Sequence, residues 1–497
     1  MIAGVWGGPR LGRTTTALLA AAAFGAISLF AGAPGAAAKG TKPPKPSKPA
    51  ISGLTATPGS VPSSGITTVT AAVSGAETCT LTSNKSVPGL PVSSSCGGES
   101  FSQAVEMPNE RFEKKPKVFT LKLVAVGQGG KAQASLKVTV INHAYSVIPT
   151  TVVGISDAKQ VGVGSQHVCA VLSAGSVTCW GSNREGQFFN GQSANEYDHP
   201  VETLVTGATQ VASGSFFSCA SLASGHVECS GYDGSGELGN GEPGVGPHEP
   251  VEVQGLTEAI QVAAGLETAC ALLTSGHVDC WGRGKSGELG NGHSVNASTP
   301  VEVLGITNAA QISIGAGGTH ACALLVTGHI DCWGANTYGE LGDGTTTDRI
   351  APVEVLGISE ATQVSAGYAH TCALLFSGHL DCWGGNSGGD LGYGGNADSH
   401  VPVEVSGIAD ATGVATGTVQ SCAVLGTGGV DCWGGNRYGQ LGNGTTTESA
   451  LPVEVFGVDE ATAVSAGGGQ ACALLIGGGV ECWGSNQEGQ LGNGTLR

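Results

Sequence analysis

The alternation of apolar and polar positions in the second half of the chain predicts short strands joined by tight turns. Cys372-Ala-Leu-Leu and His379-Leu-Asp-Cys-Trp are two compact apolar runs that are separated by Phe-Ser-Gly. Runs of this length, bounded by glycine, favour β-strands, and the three-residue spacer predicts a hairpin. The last residue of such a spacer needs a positive φ, which Gly378 adopts at little cost.

This hairpin belongs to a unit that recurs seven times. Fourteen of the sixteen cysteines form seven pairs with nine residues between partners, and successive pairs lie 50 to 52 residues apart. Each unit ends in a segment such as Pro402-Val-Glu-Val405, and repetition of this kind predicts a repeat architecture built from strands. A glycine closes the hairpin turn in every copy: Gly175, Gly225, Gly276, Gly328, Gly378, Gly428 and Gly478.

The register of the hairpin predicts disulfides. Cys372 faces Cys382 on one side of the hairpin, and Trp383 lies on the other. Opposed residues have Cβ atoms about 4.5–5.5 Å apart and a disulfide needs about 3.5–4.5 Å, so the cysteines can bridge only at non-hydrogen-bonded positions. The predicted pairs are Cys169–Cys179, Cys219–Cys229, Cys270–Cys280, Cys322–Cys332, Cys372–Cys382, Cys422–Cys432 and Cys472–Cys482, with Cys79–Cys96 nearer the N-terminus.

Zinc is the alternative explanation for the cysteine pairs. His167, His320 and His370 lie two residues before the first cysteine of their copies. The other four copies have Phe217, Thr268, Gln420 and Gln470 at that position. A ligand that most copies lack does not explain the repeat, and the cysteine spacing is not that of a zinc knuckle. We therefore expect structural disulfides, and no metal or other cofactor.

The two ends of the repeat array predict a closed ring. The last copy runs to Arg497 without a Pro-Val-Glu-Val strand. Ile148–Ile155 precedes the first copy and matches Thr299–Ile306 in pattern, so we expect this N-terminal strand to complete the seventh unit. Closure would cover faces that an open array exposes, and the chain is expected to be complete at Arg497.

Four segments are predicted along the chain. Residues 1–38 are typical of a secretory signal, with Arg10 and Arg13 before an alanine-rich apolar run and small residues at a cleavage site. Residues 39–49 form a Lys/Pro-rich spacer. Residues 50–142 alternate strands and turns in the manner of an immunoglobulin-like sandwich, and residues 148–497 form the repeats. The apolar run is shorter than the roughly 20 residues of a membrane span, so no span is expected after signal cleavage.

Charge differs between the two halves of the chain. Residues 1–150 carry 14 Lys and Arg against 5 Asp and Glu, whereas residues 151–497 carry 7 against 34, balances of +9 and −27 that sum to −18. Such an acidic surface repels phosphate backbones, so nucleic-acid binding is not expected. We expect the acidic charge to keep the protein soluble, and binding of basic partners is the second interpretation. The basic front segment, with Lys114, Lys115, Lys117 and Lys122, suits a solvated strand face or anionic wall polymers.

The repeat motifs resemble a known family. Gly367–His370, Trp383-Gly384 and Gly439-Gln-Leu-Gly-Asn-Gly444 are similar to the regulator of chromosome condensation repeat. The resemblance covers residues 148–497 and implies an all-β fold, a seven-bladed β-propeller preceded by the small sandwich. It implies little about activity, because the family includes a nuclear exchange factor, a plant ultraviolet receptor and a secreted bacterial β-lactamase inhibitor. The last of these shares the expected compartment.

Units one and two depart most from the repeat. Gln187-Phe-Phe-Asn-Gly191 replaces the usual Leu-Gly-x-Gly, and Ser230 replaces the tryptophan that follows the second cysteine. Drift in a tolerant repeat explains these departures, and the alternative is a specialised binding edge. The candidate residues of that edge are Phe188, Phe189, Phe216, Phe217 and Tyr232.

Candidate catalytic groups recur with the repeat and so do not converge. Residues such as Glu404 and Asp381 hold the same place in successive units, as do the histidines that follow the turn glycine in four of them, His226, His277, His329 and His379. These histidines are expected to be hairpin residues, or a pH-responsive rim. The loop Asp343–Asp348 offers oxygen ligands for Ca²⁺ but too few for a complete site. No catalytic residue is therefore assigned.

Two classes of function remain. The first is a secreted or wall-associated monomeric scaffold that binds an extracellular protein or a cell-wall polymer through its loops. The second is a secreted lyase or hydrolase that acts on polysaccharides in the propeller channel. Off-pattern carboxylates in a deep channel would favour the enzyme, and a shallow face rimmed by aromatic residues would favour binding.

Overall fold

All regular elements in the described residues are β-strands. The computed structural model describes residues 45–57, 60–62, 66–74, 76–87, 89–96, 100–106, 117–141, 145–193, 195–244 and 249–495. The predicted signal (1–38) and the first part of the predicted spacer lie outside these residues. Among the residues described, no helix is long and apolar enough to cross a membrane.

The front domain consists of two sheets that pack on one core. A three-stranded sheet has the order β1-β3-β6 and a five-stranded sheet has the order β2-β8-β7-β4-β5. Val69 and Phe101 from the first sheet share this core with Leu81, Leu121 and Val138 from the second. The strands are β1 (Ala50–Thr57), β2 (Ser60–Pro62), β3 (Ile66–Ser74), β4 (Thr78–Ser83), β5 (Val92–Ser95), β6 (Ser100–Glu106), β7 (Lys117–Gly127) and β8 (Gly130–Ile141).

The rest of the described chain forms seven four-stranded antiparallel sheets, sheets 1 to 7 in chain order. The strands are β9 (Tyr145–Thr151), β10 (Ala158–Val163), β11 (His167–Leu172), β12 (Val177–Asn183), β13 (Asn195–Glu202), β14 (Ala208–Ser213), β15 (Phe217–Leu222), β16 (Val227–Gly231), β17 (Val251–Glu252), β18 (Ala259–Ala264), β19 (Thr268–Leu273), β20 (Val278–Gly282), β21 (Ala297–Glu302), β22 (Ala309–Ile314), β23 (His320–Leu325), β24 (Ile330–Gly334), β25 (Arg349–Glu354), β26 (Ala361–Ala366), β27 (His370–Leu375), β28 (Leu380–Gly384), β29 (Ser399–Glu404), β30 (Ala411–Thr416), β31 (Gln420–Leu425), β32 (Val430–Gly434), β33 (Ser449–Glu454), β34 (Ala461–Ala466), β35 (Gln470–Leu475) and β36 (Val480–Ser485).

The sheets form a β-propeller, and the seventh sheet is completed by the N-terminal strand. Sheet 7 has the order β34-β35-β36-β9, in which Thr150 pairs with Cys482. The first strands of consecutive sheets contact one another around an axis, and β34 of sheet 7 contacts β10 of sheet 1. The Gly468 amide donates to the Gly164 carbonyl at 3.2 Å across that last seam. The predicted closing strand is therefore confirmed.

The predicted hairpin register is also confirmed. Cys372 lies opposite Cys382, Leu374 lies opposite Leu380, and the turn residue Gly378 has a φ of 85°. The seven hairpin cysteine pairs are bridged with Cα atoms 4.0–4.1 Å apart, the close approach of non-hydrogen-bonded pairs. Cys79 in β4 is bridged to Cys96, which follows the neighbouring strand β5.

Six of the seven seams between sheets are filled by a tryptophan from the sheet that follows in the ring. Trp383 of sheet 5 is fully buried in the core of sheet 4, and its Nε1 donates to the Glu340 carbonyl at 2.8 Å. A glycine lies against the ring, because a Cβ at Gly342 would lie 2.9 Å from the Trp383 Nε1. Burial of the indole at these six seams is a main source of cohesion between sheets.

At the seam between sheets 1 and 2, the aromatic ring comes from the earlier sheet and the small residue from the later one, the reverse of the other seams. Ser230 stands where the other sheets have tryptophan, and Phe189 stands where the preceding sheet otherwise has glycine. Phe189 is fully buried in the core of sheet 1 and is the one non-glycine residue with positive φ (52°) among those described. The phenyl ring thus fills the seam from the opposite side, and Ser230 Oγ donates to the Gly186 carbonyl at 2.6 Å.

We predict that all sixteen cysteines are oxidised, because each is bridged and none is free. Protein unfolded in guanidinium without reductant should react with almost no thiol reagent, whereas the reduced chain should react fully. Several free thiols per chain before reduction would contradict the assignment.

We predict that Phe189→Gly and Ser230→Trp compensate each other. Phe189→Gly alone should cost about 3–5 kcal/mol by leaving a cavity, and Ser230→Trp alone about 1–3 kcal/mol or more by overpacking. The double variant restores the arrangement of the other seams and should recover much of that loss. The melting temperatures of the three variants measure the coupling, and simple additivity would contradict the exchange.

Candidate binding face and channel

Two kinds of connection lie at the same end of the propeller. Because neighbouring strands are antiparallel, the loops between first and second strands lie at the same end as the loops between third and fourth strands. We call this end the loop face. The hairpin turns between second and third strands, which include Gly378, lie at the opposite end.

The loop face carries exposed aromatic side chains. Phe216 and Tyr232 of sheet 2 are 40% and 38% exposed, and the Tyr232 amide donates to the Phe216 carbonyl at 3.0 Å. Tyr338 of sheet 4 and Tyr368 of sheet 5 are 46% and 49% exposed. A Cβ at Gly385 would lie 3.5 Å from the Tyr338 Cβ and 3.4 Å from that of Ala369, the neighbour of Tyr368, so these two tyrosines border one patch.

The structure corrects part of the expected binding edge. Phe188, Phe189 and Phe217 have no exposed surface, because the first two fill the seam core of sheet 1 and Phe217 that of sheet 2. Phe216 and Tyr232 do lie on the loop face. Tyr338 and Tyr368 are not among the predicted edge residues, and their signal in the sequence is a tyrosine at a loop position between strands.

The loop face also holds acidic groups around Tyr232. Burial raises the pKa of the Tyr232 hydroxyl, and the carboxylates of Glu237, Glu267 and Glu185 raise it further. An open depression of about 1090 Å³, a volume that includes solvent space, lies between sheets 5 and 6 and is lined by residues that include Arg437 and Glu448. The loop face is therefore aromatic and partly acidic, and it carries an open depression.

The central channel is a separate cavity of about 740 Å³, a volume that includes space open to solvent. The described residues that line it come from the first strands of all seven sheets and from Gly315 and Ala316, which follow β22, and their side chains are those of Gln, Ser, Thr, Val, Ile and Ala, with no ionisable group. General acid–base chemistry requires such a group within hydrogen-bonding reach of the substrate. The channel lining offers no group for that role.

A loop of sheet 4 closes the channel at the loop face. Five residues, 315–319, separate β22 from β23, whereas three separate the corresponding strands of every other sheet. A Cβ at Gly317 would lie 3.7 Å from Ser165 Oγ of sheet 1 and 3.7 Å from the Tyr368 ring. The loop therefore reaches across the axis. The 52-residue spacing between Cys270 and Cys322, the largest between pairs, was its signal in the sequence.

The ionisable groups predicted to recur with the repeat do so at the far end. His379 Nδ1 lies 3.0 Å from Glu404 Oε1, and His226, His277 and His329 make the same contact at 2.9–3.0 Å with a glutamate of their own sheets. Burial raises the pKa of Asp381, and Glu404 opposite raises it further. Each set of a histidine, its glutamate and the neighbouring acidic residue lies in its own sheet, so the sets do not converge on one point.

The oxygen atoms of the loop considered for Ca²⁺ have other partners. Asp343 Oδ2 lies 2.6 Å from Arg349 Nη2, and Asp343 Oδ1 accepts from the Thr345 hydroxyl at 2.7 Å. Asp348 Oδ1 accepts a hydrogen bond from the backbone amide of Asn336 at 2.9 Å. The loop is held by these hydrogen bonds.

The histidines considered for zinc join neighbouring sheets instead. His370 Nε2 lies 2.9 Å from Ser421 Oγ of the next sheet, and His167 and His320 make equivalent contacts at 2.7 and 2.8 Å. At the same position Gln470 Nε2 donates to the Gly164 carbonyl at 2.9 Å. Burial lowers the pKa of His167 and His320 to about 3 and that of His370 to about 4, so all three are neutral.

Buried acidic residues lie below the loop face at four consecutive seams. Burial raises the pKa of Glu237 and Glu340 to about 7 and that of Asp390 to about 6, and it also raises that of Glu288. The remaining sheets have glutamine there: Gln187, Gln440 and Gln490. Asp233 and Glu237 are a neighbouring carboxyl pair, but neither has exposed surface, so no substrate reaches them.

These two sets of groups give opposite pH dependence. The histidines have folded pKa values below the unfolded value near 6.5, so their contribution to stability falls as the pH drops from there towards 3. The carboxyls have folded pKa values above the unfolded value near 4.5, so theirs falls as the pH rises through 7.

The fold defines a β-propeller assembled from an internal repeat. The chain belongs to the RCC1-like domain family, whose model matches residues 122–473, from β7 of the front domain to β35 of sheet 7. The family inferred from the repeat motifs is thereby confirmed.

Curated relatives match part of the propeller. The human probable E3 ubiquitin-protein ligase HERC4 is 40% identical over 39% of this chain and 19% of its own length. The human E3 ubiquitin-protein ligase HERC2 is 31% identical over 40% of this chain and 4% of its length, and the Arabidopsis thaliana ultraviolet-B receptor UVR8 is 29% identical over 39% and 45%. The chain thus spans less than half the length of these relatives.

Solved structures show the same fold at low identity. Human WBSCR16 superposes with a TM-score of 0.61 at 20% identity, covering 70% of this chain and 92% of that one. Yeast RCC1 (Prp20) bound to Kap60 gives 0.56 at 19% identity, covering 66% and 80%. A second structure of Prp20p, from Saccharomyces cerevisiae, was described with its binding to Gsp1p and histones and gives 0.55 at 21% identity, covering 66% and 82%.

We predict that Glu340→Gln stabilises the protein in a pH-dependent manner. Glutamine is native at equivalent seams and is neutral, whereas Glu340, with a pKa of about 7, must carry a buried charge above that pH. The gain should be about 1–3 kcal/mol at pH 8 and small at pH 5. Melting temperatures at both pH values measure it.

The matched control for Glu340→Gln is Glu404→Gln. The Glu404 side chain is 66% exposed, so this substitution should change stability by less than about 0.5 kcal/mol at either pH. Equal gains for both variants, or a Glu340→Gln gain that does not change with pH, would contradict the assignment.

Proposed function

We propose that this chain is a secreted protein-binding scaffold that recognises its partner on the loop face. The observation that carries the proposal is the exposed aromatic patch around Tyr338 and Tyr368, set beside a channel that the sheet 4 loop closes at the same end. Exposed aromatic rings are typical anchors of protein interfaces. The propeller provides a rigid frame for the loops that carry them.

The proposed architecture is a seven-bladed propeller that follows an immunoglobulin-like domain, with domain bounds at 50–142 and 148–497. The seven four-stranded sheets and the two-sheet front domain support it. Eight disulfides and a signal-like N-terminus support export, because disulfides persist in oxidising compartments. The chain acts as a monomer in this proposal.

The proposed partner is an extracellular protein that presents a basic segment. The balance of −27 over residues 151–497 attracts cations, and the accessible carboxylates of Glu185 and Glu267 lie near the Tyr232 ring. Lysine and arginine pair with carboxylates and stack on aromatic faces, so this combination suits them. Yeast RCC1 (Prp20), a neighbour in fold, has been crystallised bound to Kap60.

The proposal is tested by capture from culture supernatant and wall fractions with the purified full chain. Tyr338→Ser/Tyr368→Ser should weaken capture of a basic protein by about tenfold or more, because aromatic anchors contribute about 2 kcal/mol or more. Added salt should weaken it further, since surface charges are screened.

Phe376→Ser is the matched control, because Phe376 is 83% exposed in a hairpin turn at the opposite end. Its capture should equal that of the unmodified chain. Equal loss with the control would place the interface elsewhere. Retention on wall polymer, or turnover of a polysaccharide, without protein capture would contradict the proposal and favour the alternative partner or the enzyme.

A further inference from the structure

A belt of glutamines lies in the channel. Five sheets have glutamine at the third position of the first strand, and its amide reaches the next sheet. Gln363 Nε2 donates to the Val414 carbonyl at 3.1 Å, while Gln363 Oε1 accepts the Val414 amide at 3.0 Å. The five residues are Gln160, Gln210, Gln261, Gln311 and Gln363.

The same contact recurs around the belt. Gln160 makes both bonds to Val211, Gln261 to Ile312, and Gln311 to Val364, at 2.9–3.2 Å. Gln210 Oε1 accepts the Val262 amide at 2.9 Å. The first strand of each sheet pairs on one side only, so its other edge faces the axis with free backbone groups. One side-chain amide supplies the donor and the acceptor that such an edge needs.

The belt has a gap of two positions. Sheets 6 and 7 have Gly413 and Ala463 in place of glutamine. The residues that glutamines there would reach, by equivalence with Val414, are Val464 of sheet 7 and Val161 of sheet 1. Both line the channel, and in the described part of the chain no side chain bonds to their amides or carbonyls. The next contact along the second seam is present, because the Val163 amide donates to Ser465 Oγ at 3.3 Å.

The gap has room for a ligand. A Cβ at Gly413 would meet no atom nearer than Gln363 Oε1 at 3.8 Å, and Ala463 is exposed. The sheet 4 loop closes the channel at the loop face, and the belt lies near the strand starts at the other end. A ligand therefore enters from the end opposite the loop face.

We propose that this gap is a binding site for primary carboxamides, such as the asparagine and glutamine side chains of a peptide. Each vacant strand edge offers one N–H donor and one C=O acceptor. A carboxylate lacks the donor and an ammonium lacks the acceptor, whereas a carboxamide matches both. The channel lining supplies no ionisable side chain to favour a charged ligand. The five native glutamines show the pairing at the same level of the channel.

The site differs from the loop face in residues, end of the molecule and ligand chemistry. It therefore does not depend on the proposed function. Tyr338→Ser/Tyr368→Ser should leave it intact, so failure of either proposal can be distinguished from failure of the other.

The test uses the full chain and two matched probes, acetyl-Gln-Gln-amide and acetyl-Glu-Glu. Ligand-observed and backbone-amide NMR should show binding of the amide probe that is at least about tenfold stronger than that of its acidic analogue, since the carboxylates of the acidic probe cannot donate the hydrogen bonds that the strand carbonyls accept. The amides of Val161 and Val464 should shift on binding. Equal affinity for both probes, or no detectable binding of the amide probe, would overturn the proposal.

A belt-filling variant provides the second test. Gly413→Gln/Ala463→Gln adds the residues that five sheets already use and should lower affinity for the amide probe about tenfold or more. Ala463→Ser, which brings no amide, should retain binding. Without any ligand, the filled variant should also slow hydrogen exchange at Val161 and Val464 towards the rate at Val414. Unchanged exchange, or unchanged probe binding in the filled variant, would contradict the site.

Discussion

The close approach of consecutive sheets at the axis is the constraint on which the rest of this propeller depends. A Cβ at Gly367 would lie 2.6 Å from the Gly417 carbonyl of the next sheet, and one at Gly467 would lie 2.1 Å from that of Gly164. A residue with a side chain cannot occupy these positions without moving backbone. Polar side chains near this contact join the sheets: the glutamine belt does so towards one end, and the buried His or Gln two residues before the hairpin cysteine does so towards the other in five of the seven sheets.

Farther from the axis, each seam behaves as a packing unit of its own. The exchange of Phe189 for the missing tryptophan at position 230 changes which sheet supplies the ring but leaves a ring in the seam. Such a change is tolerated because the neighbouring seams do not share those atoms. It also explains why the least regular sector of the sequence is not the most exposed one. Irregularity in a repeat therefore indicates compensated packing as readily as a specialised surface.

The strands, the hairpin register, the disulfide partners and the closing strand could be predicted because each depends on local pattern. Cys372 and Cys382 lie on one hairpin, and the Ile148–Ile155 segment matched the strand it replaces. The burial of Phe188, Phe189 and Phe217 could not be predicted in this way. Whether an aromatic residue near a loop is exposed depends on the side chain that the next sheet, about fifty residues away, brings against it. The loop that closes the channel lengthens the repeat spacing between Cys270 and Cys322, but this spacing alone does not show that the inserted residues lie across the channel.

The seams also determine how the protein responds to acidity. Neutral histidines at three seams lower the stability as the pH falls below about 6.5, because the unfolded chain then binds protons that the folded ring does not bind. Buried carboxyls at four seams lower the stability as the pH rises from the unfolded pKa values near 4 towards neutrality, because the folded ring holds protons that the unfolded chain has already released. The two pH ranges overlap between about 4.5 and 6.5, and there the two contributions change in opposite directions with pH and partly offset each other. Glutamine at the equivalent positions, as at Gln470 and Gln440, makes the same kind of bond without titrating. The mixture of the two kinds of residue around the ring therefore sets its pH dependence seam by seam, while the geometry of each seam stays the same.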